Sequence, residues 1–317
     1  MKQKLLDRII ENDKVKKVGV AVSGGCDSVA LLLLLRHLAK MRGFALTVFH
    51  VDHCLRKNSK KEAEWVNRLA NSLKLPFLSR TAEEKDKEDM SSGVEAWARQ
   101  FRYNSFKKMA EESGVDTIAT GHNADDQLET FFMRLFKGAS LQGIAGIRAF
   151  KTVRSFDLHL WRPLLKIQRS QLEAYLNSEN QSWLTDESNF SQEYLRNVIR
   201  HRLMPEIANI FPGAAGKIQP LLEDIDEVQA VIAEAAAKYL KENLAENSSL
   251  KISKVPDIYK REIFRQWLLK LGFDREISRS FILRLVDLWN TNASNRQVNH
   301  RTYSFIKKRK VILYKKI

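Results

Sequence analysis

The chain has 317 residues, 44% of them apolar, and carries a formal charge of +15 with a pI near 9.7. That length holds one large domain and one smaller one, and no apolar run approaches the ~20 residues that span a bilayer. Two cysteines, Cys26 and Cys54, give no disulfide framework and no cysteine-rich metal site. The basic excess instead points to a polyanionic partner, because Lys and Arg that neutralise phosphates release counterions.

Residues 1–14 place Leu5, Leu6, Ile9 and Ile10 at helical spacing beside Asp7, Glu11 and Asp13. This is the pattern of a short amphipathic helix rather than a signal peptide, so a cytoplasmic location is expected. Strand and helix signals then alternate. Residues 18–22 predict a strand and 28–42 a helix; 45–51 a strand and 60–73 a helix; 76–79 a short strand. A charged, solvated loop is expected over 83–89. A helix over 94–112 ends at Gly114, followed by a strand over 117–120 and a helix over 125–136. This rhythm predicts an α/β fold: a doubly wound parallel sheet with helices on both faces and ligands beyond the carboxyl ends of the strands.

Residues 209–216 (NIFPGAAG) break the pattern and predict a boundary, giving domains 1–216 and 217–317. Helices are expected over 218–243, 258–271 and 281–289, and a strand-like stretch over 298–314 turning near 307–310. From Asn295 onward there are eight basic residues and no acid. The second domain is therefore expected to be smaller, mainly helical and basic, in contact with nucleic acid.

The first chemical signal is Ser23-Gly24-Gly25-Cys26-Asp27-Ser28, between a strand and a helix. Two glycines let the backbone turn tightly, the helix start offers unpaired N–H groups, and the serines add hydroxyls: a phosphate socket made mostly of main chain. Asp27 is unexpected among phosphate ligands unless a Mg²⁺ bridges it to phosphate oxygens. There is no Walker or dinucleotide fingerprint. His50 and Asp52, in HVDHCLR (50–56), fall at the end of the second strand, where polar groups can hold adenosine or orient a base.

The second signal is TGHNADDQLET (120–130), in which His122, Asp125, Asp126 and Glu129 share a helical stripe. Such an acidic start suits a cationic substrate, a metal contact or a base. Glu95, Arg99 and Arg102 share another helical face. Arg196 and Arg200 stand at i,i+4, where like charges repel unless an anion relieves them.

The loop resembles that of the N-type ATP pyrophosphatases, which adenylate an oxygen of their substrate and release pyrophosphate. Taken together, SGGCDS (23–28), HVDHCLR (50–56), EAWARQFRY (95–103), TGHNADDQLET (120–130), RPLL (162–165) and DESN…RNVIR (186–200) closely resemble the tRNA(Ile)-lysidine synthetase family. The resemblance implies that ATP activates C2 of the wobble cytidine of a CAU-anticodon tRNA(Ile), and that L-lysine then displaces AMP. It implies ATP and Mg²⁺ at Ser23, Gly24, Gly25, Cys26, Asp27, Ser28, His50 and Asp52, with Asp27 the metal ligand. Asp27, Asp125, Asp126 and Arg102 are the expected catalytic residues; His122, Glu129, Arg196 and Arg200 the expected substrate contacts. No membrane partner is implied, and a homodimer is one assembly the chain could form. Some family members carry a further C-terminal tRNA-binding domain, and the chain is expected to be too short for it. The competing readings are a tRNA thiolase of the same superfamily, for which the sequence offers no C-x-x-C pair, and a nucleic-acid-binding protein that holds ATP only as a ligand.

Overall fold

The computed structural model describes residues 2–9, 15–55, 58–87, 90, 93–153, 156–185, 195–273 and 277–316. In chain order the elements are α1 (Lys2–Leu6), β1 (Lys17–Ala21), α2 (Cys26–Arg42), β2 (Ala45–Asp52), α3 (Ser59–Ser72), β3 (Phe77–Thr81), α4 (Glu84–Lys87), α5 (Val94–Ser113), β4 (Thr117–Ala119), α6 (Ala124–Phe136) and α7 (Leu141–Ile144). There follow β5 (Phe150–Val153), β6 (Leu158–Trp161), α8 (Arg169–Ser178), α9 (Leu195–Val198), a π-helical turn (Ile199–Leu203), α10 (Met204–Ile210) and α11 (Ala214–Asn243). The last are β7 (Leu250–Lys251), α12 (Asp257–Lys270), α13 (Arg279–Asn290), β8 (Gln297–His300), β9 (Tyr303–Lys308) and β10 (Val311–Lys316). Two compact units result: Met1–Met133 with Gly146–Gln219, and Arg134–Ala145 with Pro220–Ile317.

The first unit is built on a six-stranded sheet of order β3-β2-β1-β4-β6-β5, parallel except for β5. The expected doubly wound sheet is present, with two strands that no sequence signal marked: β6, whose Leu158, Leu160 and Trp161 are buried, and the exposed edge strand β5. Side chains alternate across the sheet, as strand geometry requires. Val18, Val20 and Val48 face a core shared with α1, α2, α3 and α8. Phe49, Ile118, Leu158 and Leu160 face the opposite way, against Phe106 and Met109 of α5. Gly19 lies beneath the Phe49 ring; a Cβ there would stand 2.6 Å from Phe49 Cε2. Helix α2 is apolar almost all round because it is enclosed, with Leu31, Leu32, Leu34 and Leu35 fully buried.

Strand β1 pairs with β2 on one side and β4 on the other, both parallel. The chain leaves β1 in one direction and reaches β4 in the other, so their carboxyl ends form a switch point, where such sheets leave a crevice. The loop after β1 and the loop after β4 meet there: a Cβ on Gly121 would lie 3.1 Å from the backbone carbon of Asp27. Several boundaries move. Gly25 is the N-cap of α2, so the helix starts two residues earlier than expected and takes in Cys26 and Asp27. The loop expected over 83–89 contains α4, and the expected N-terminal helix is seen as α1, with residues 10–14 outside the described residues.

The second unit has helices α12 and α13 and a four-stranded antiparallel sheet, β7-β10-β9-β8. The expected hairpin is there, joined by Arg309 and Lys310, and β8 extends it into a meander. Its core is aromatic: Phe264, Trp267, Phe281 and Phe305 are fully buried. Lys307 buries its stem and donates its ammonium hydrogens to the carbonyls of Trp289 and Thr291, closing the C-terminal end of α13. Among the described residues no helix is long and apolar enough to cross a membrane.

Candidate active site

A cleft of about 550 Å³ opens at the carboxyl ends of β1, β2, β4 and β6, within the first unit. Its floor is the loop after β1. Gly24 sits at φ +94°, a backbone region that favours glycine, and a Cβ there would meet Leu184 at 2.7 Å. The two serines brace the loop rather than only offering donors. Ser28 Oγ accepts from the Ser23 N–H at 3.2 Å and donates to the Gly25 carbonyl at 2.9 Å. Among the described residues, the amides of Gly24, Cys26 and Asp27 have no acceptor. They are the donors that an anion at the α2 N-terminus would take. Leu184 donates its N–H to the Gly24 carbonyl, so residues 183–185 lie over the loop.

Asp27 faces the cleft. Its Oδ1 accepts from Asn123 Nδ2 at 3.0 Å, and Oδ2 lies 3.6 Å from Arg169. Burial pushes its carboxyl up to about 6, against the opposing pull of Arg169. Cys26 is buried, and burial pushes its thiol up to about 12. A single carboxylate with one hydrogen-bonded oxygen, the other 3.6 Å from Arg169, suits a Mg²⁺ whose remaining ligands are phosphate and water oxygens.

From β2, His50 is buried and donates Nδ1–H to the Val22 carbonyl at 2.8 Å, which leaves Nε2 as an acceptor. Asp52 is also buried. Its carboxylate accepts the Cys54 N–H at 2.8 Å and supports a turn in which Cys54 adopts φ 51°. His122, after β4, pairs with Thr120 Oγ1 at 2.9 Å. Burial, reinforced by Arg162, Arg196, Arg102 and Arg99, holds its imidazole down at about 3, so it is neutral at physiological pH.

The acidic helix start divides its labour in a way the sequence did not show. Asp126 Oδ1 accepts from Arg196 at 2.7 Å and Arg200 at 3.2 Å. Glu129, 3% exposed, binds Arg196 Nε at 2.9 Å and Arg200 Nε at 2.6 Å. The expected repulsion between the two arginines is therefore relieved by protein carboxylates, and no external anion is needed. Glu129 does not line the cleft; it orients the arginines that do. Asp125 does not line it either. Its carboxylate accepts the Arg169 N–H at 2.8 Å and caps α8. Gly24 is likewise outside the lining, whereas Ser23, Gly25, Cys26, Asp27, Ser28, His50, Asp52, Arg102, His122, Asp126, Arg196 and Arg200 all contribute to it. Arg56 and residues 186–189 lie outside the described residues.

Three residues escaped the sequence reading. Asn123 is buried between Asp27 and Asp126; its signal was the N-x-x-D spacing ahead of an apolar helix, a capping pattern. Arg169 opens α8 beside Asp27 and carried no local signal. Arg162, in the RPLL stretch, lines the cleft with its Nε buried and without a partner. Arg99 and Arg102 of α5 also face the cleft, and neither has an ion-pair partner among the described residues.

A family model for the PP-loop domain matches residues 1–207. A tRNA(Ile)-lysidine synthase of Clostridium perfringens is 35% identical over 259 residues, 80% of this chain and 54% of that protein. One from Geobacter sulfurreducens is 36% identical over 230 residues, 72% of this chain and 48% of that protein. The bifunctional protein TilS/HprT of Listeria monocytogenes is 32% identical over 299 residues, 93% of this chain and 43% of that protein. The chain thus spans about half the length of the curated relatives it matches. Among solved structures, the U34-tRNA thiolase NcsA of Methanococcus maripaludis shares the fold with a TM-score of 0.58 at 16% identity, over 70% of this chain and 78% of that one. With the loop after β1 at the switch point of a parallel sheet and the family model covering residues 1–207, the chain belongs to the PP-loop domain family.

Proposed function

We propose that this protein ligates L-lysine to C2 of the wobble cytidine of a CAU-anticodon tRNA(Ile), using ATP and passing through an adenylated tRNA. The observation that carries the reading is the meeting of two chemistries at one cleft: an anion cradle from the free amides of Gly24, Cys26 and Asp27, and the Asp126–Arg196–Arg200 set, charge-balanced by Glu129 behind it. Relatives bearing the name tRNA(Ile)-lysidine synthase, at 35% and 36% identity, support it.

ATP would lie with its β and γ phosphates on the amides of Gly24, Cys26 and Asp27. A Mg²⁺ on Asp27 would supply charge neutralisation at the phosphates as pyrophosphate leaves. Arg169 stands beside Asp27 and adds positive charge on the same side. The cytidine C2 oxygen attacks the α phosphorus, and the lysine ε-amine then adds at C2 and expels AMP. Free lysine brings one carboxylate and two ammonium groups. The Asp126–Arg196–Arg200 edge of the cleft offers complementary groups of both signs, already held by Glu129. Asp126 would be the carboxylate that accepts a proton from lysine, with neutral His122 a hydrogen-bonding group nearby. Arg99, Arg102 and Arg162 are the cations left for substrate phosphate, and the basic second unit for the tRNA body. A single-stranded anticodon loop lets the target base leave its stack and enter the cleft.

Thiol transfer is disfavoured by the burial of Cys26, whose thiol is held far from its reactive thiolate form. The test is direct. Incubation of protein, ATP, labelled lysine and a set of tRNAs should label only the CAU-anticodon tRNA(Ile), with stoichiometric AMP release. Absence of tRNA labelling, or equal AMP release without lysine and tRNA, defeats the reading.

A further inference from the structure

Asn123 joins the two chemistries of the cleft, and nothing in the family motif assigns it a task. Its side chain is 2% exposed and its hydrogen bonds run in two directions. Its Oδ1 accepts from the Asp126 N–H at 3.0 Å, while Asp126 Oδ2 accepts from the Asn123 N–H at 3.0 Å. That reciprocal pair is a capping box for α6. Its Nδ2 donates to Asp27 Oδ1 at 3.0 Å, across 96 positions of chain. The orientation of the amide is fixed by its partners: the Asp126 amide requires an acceptor and the Asp27 carboxylate a donor, and only one of the two flips satisfies both. An N-cap needs only an acceptor, so serine or aspartate would serve α6 as well. The donor half of the side chain is surplus to the cap, and it is spent on Asp27.

We infer that Asn123 is a positioning residue for nucleotide activation. It ties down one oxygen of Asp27, keeps the other turned to the cleft, and links the setting of that carboxylate to the Asp126–Arg196–Arg200 cluster. This rests on the reading above that Asp27 serves ATP. A carboxylate free to rotate offers its oxygens in several directions; one held from behind offers a single oxygen, and small misplacements of such groups cost rate steeply.

Three variants separate positioning from capping. Asn123→Ser keeps the cap acceptor and loses the donor. Asn123→Asp keeps the acceptor and turns the donor into a like charge facing Asp27. Asn123→Ala loses both. Melting midpoint, equilibrium affinity for Mg²⁺·ATP without tRNA or lysine, and the kcat and KM for lysine are measured for each. The Ser variant should melt within about 3 °C of the parent, yet bind Mg²⁺·ATP about tenfold more weakly. Its kcat should fall about thirtyfold with the KM for lysine unchanged. The Asp variant should fall further in nucleotide affinity and melt below the Ser variant. A Ser variant with parental nucleotide affinity and kcat overturns the inference, as does a series in which every loss tracks the melting midpoint. The nucleotide-affinity arm needs neither lysine nor tRNA, so it judges Asn123 even if lysine transfer itself is not observed.

Discussion

The two ends of the cleft are built by opposite means. The loop after β1 makes its site from main chain: six consecutive residues, a glycine at φ +94°, two serines bonding within the loop, and amides left open. The Asp126–Glu129–Arg196–Arg200 cluster makes its site from side chains that meet across about seventy positions of sequence. A backbone site is specified by where the chain turns; a side-chain site is specified by charges that must find each other. The first depends on few side-chain identities, and the second fails when any one partner is missing.

Substitutions should reveal that asymmetry. The largest effect is expected from Asp27→Ala, which removes the carboxylate proposed to hold Mg²⁺. It should lower ATP-dependent lysine transfer by about a thousandfold or more while tRNA binding, measured by filter retention, is unchanged. Normal transfer in that variant would remove the metal role of Asp27. Next comes Glu129→Gln, which leaves two guanidiniums short of a carboxylate. Lysine transfer should drop about a hundredfold and the fold should lose about 2 kcal/mol, discounted because both arginines are partly exposed. Its nucleotide affinity should stay near the parent's; a matching loss there would mean that the two ends are not separate.

Gly24→Ala is the milder converse. Strain at φ +94° and crowding by Leu184 should weaken nucleotide binding about tenfold and leave the KM for lysine alone. The smallest signal concerns His122. Its folded pKa lies below the unfolded value, so the stability it contributes is present above about pH 6.5 and is lost as pH falls toward 3. Between pH 7 and 5 the parent should lose about 2 kcal/mol that His122→Gln retains, read from denaturant melts at the two pH values. An equal loss in both proteins would mean that His122 is not the group responsible.

This contrast also explains what the sequence made legible. The parallel sheet is a rhythm of local strand and helix signals, and the anion loop and the acidic helix start are local patterns of a dozen contiguous residues or fewer. The tasks of Asp125, Asp126 and Glu129 are not. All three sit within one helical stripe, yet one caps α8, one faces the cleft, and one is buried beneath two arginines. Which does what depends on α8 and α9, which arrive later in the chain. Arg196 and Arg200 read as a pair awaiting an anion because their carboxylates lay about seventy residues away. Arg169 and Asn123 were missed for the same reason. Strand β6 escaped because no alternation marked it: three of its four residues are buried. In the second unit the helices were legible from periodicity, whereas β7 was too short at two residues to leave any pattern.

The position of β1 has a consequence in time as well as in space. With a parallel neighbour on each side and Gly19 pressed under Phe49, β1 should be among the last segments to exchange its amide hydrogens with solvent. The edge strand β5 and the π-helical turn carrying Arg200 should exchange far sooner. Nucleotide would then be held on the slow clock of the molecule and the amino acid on a faster one. One end of the cleft could breathe to admit lysine or release product while the other keeps its grip.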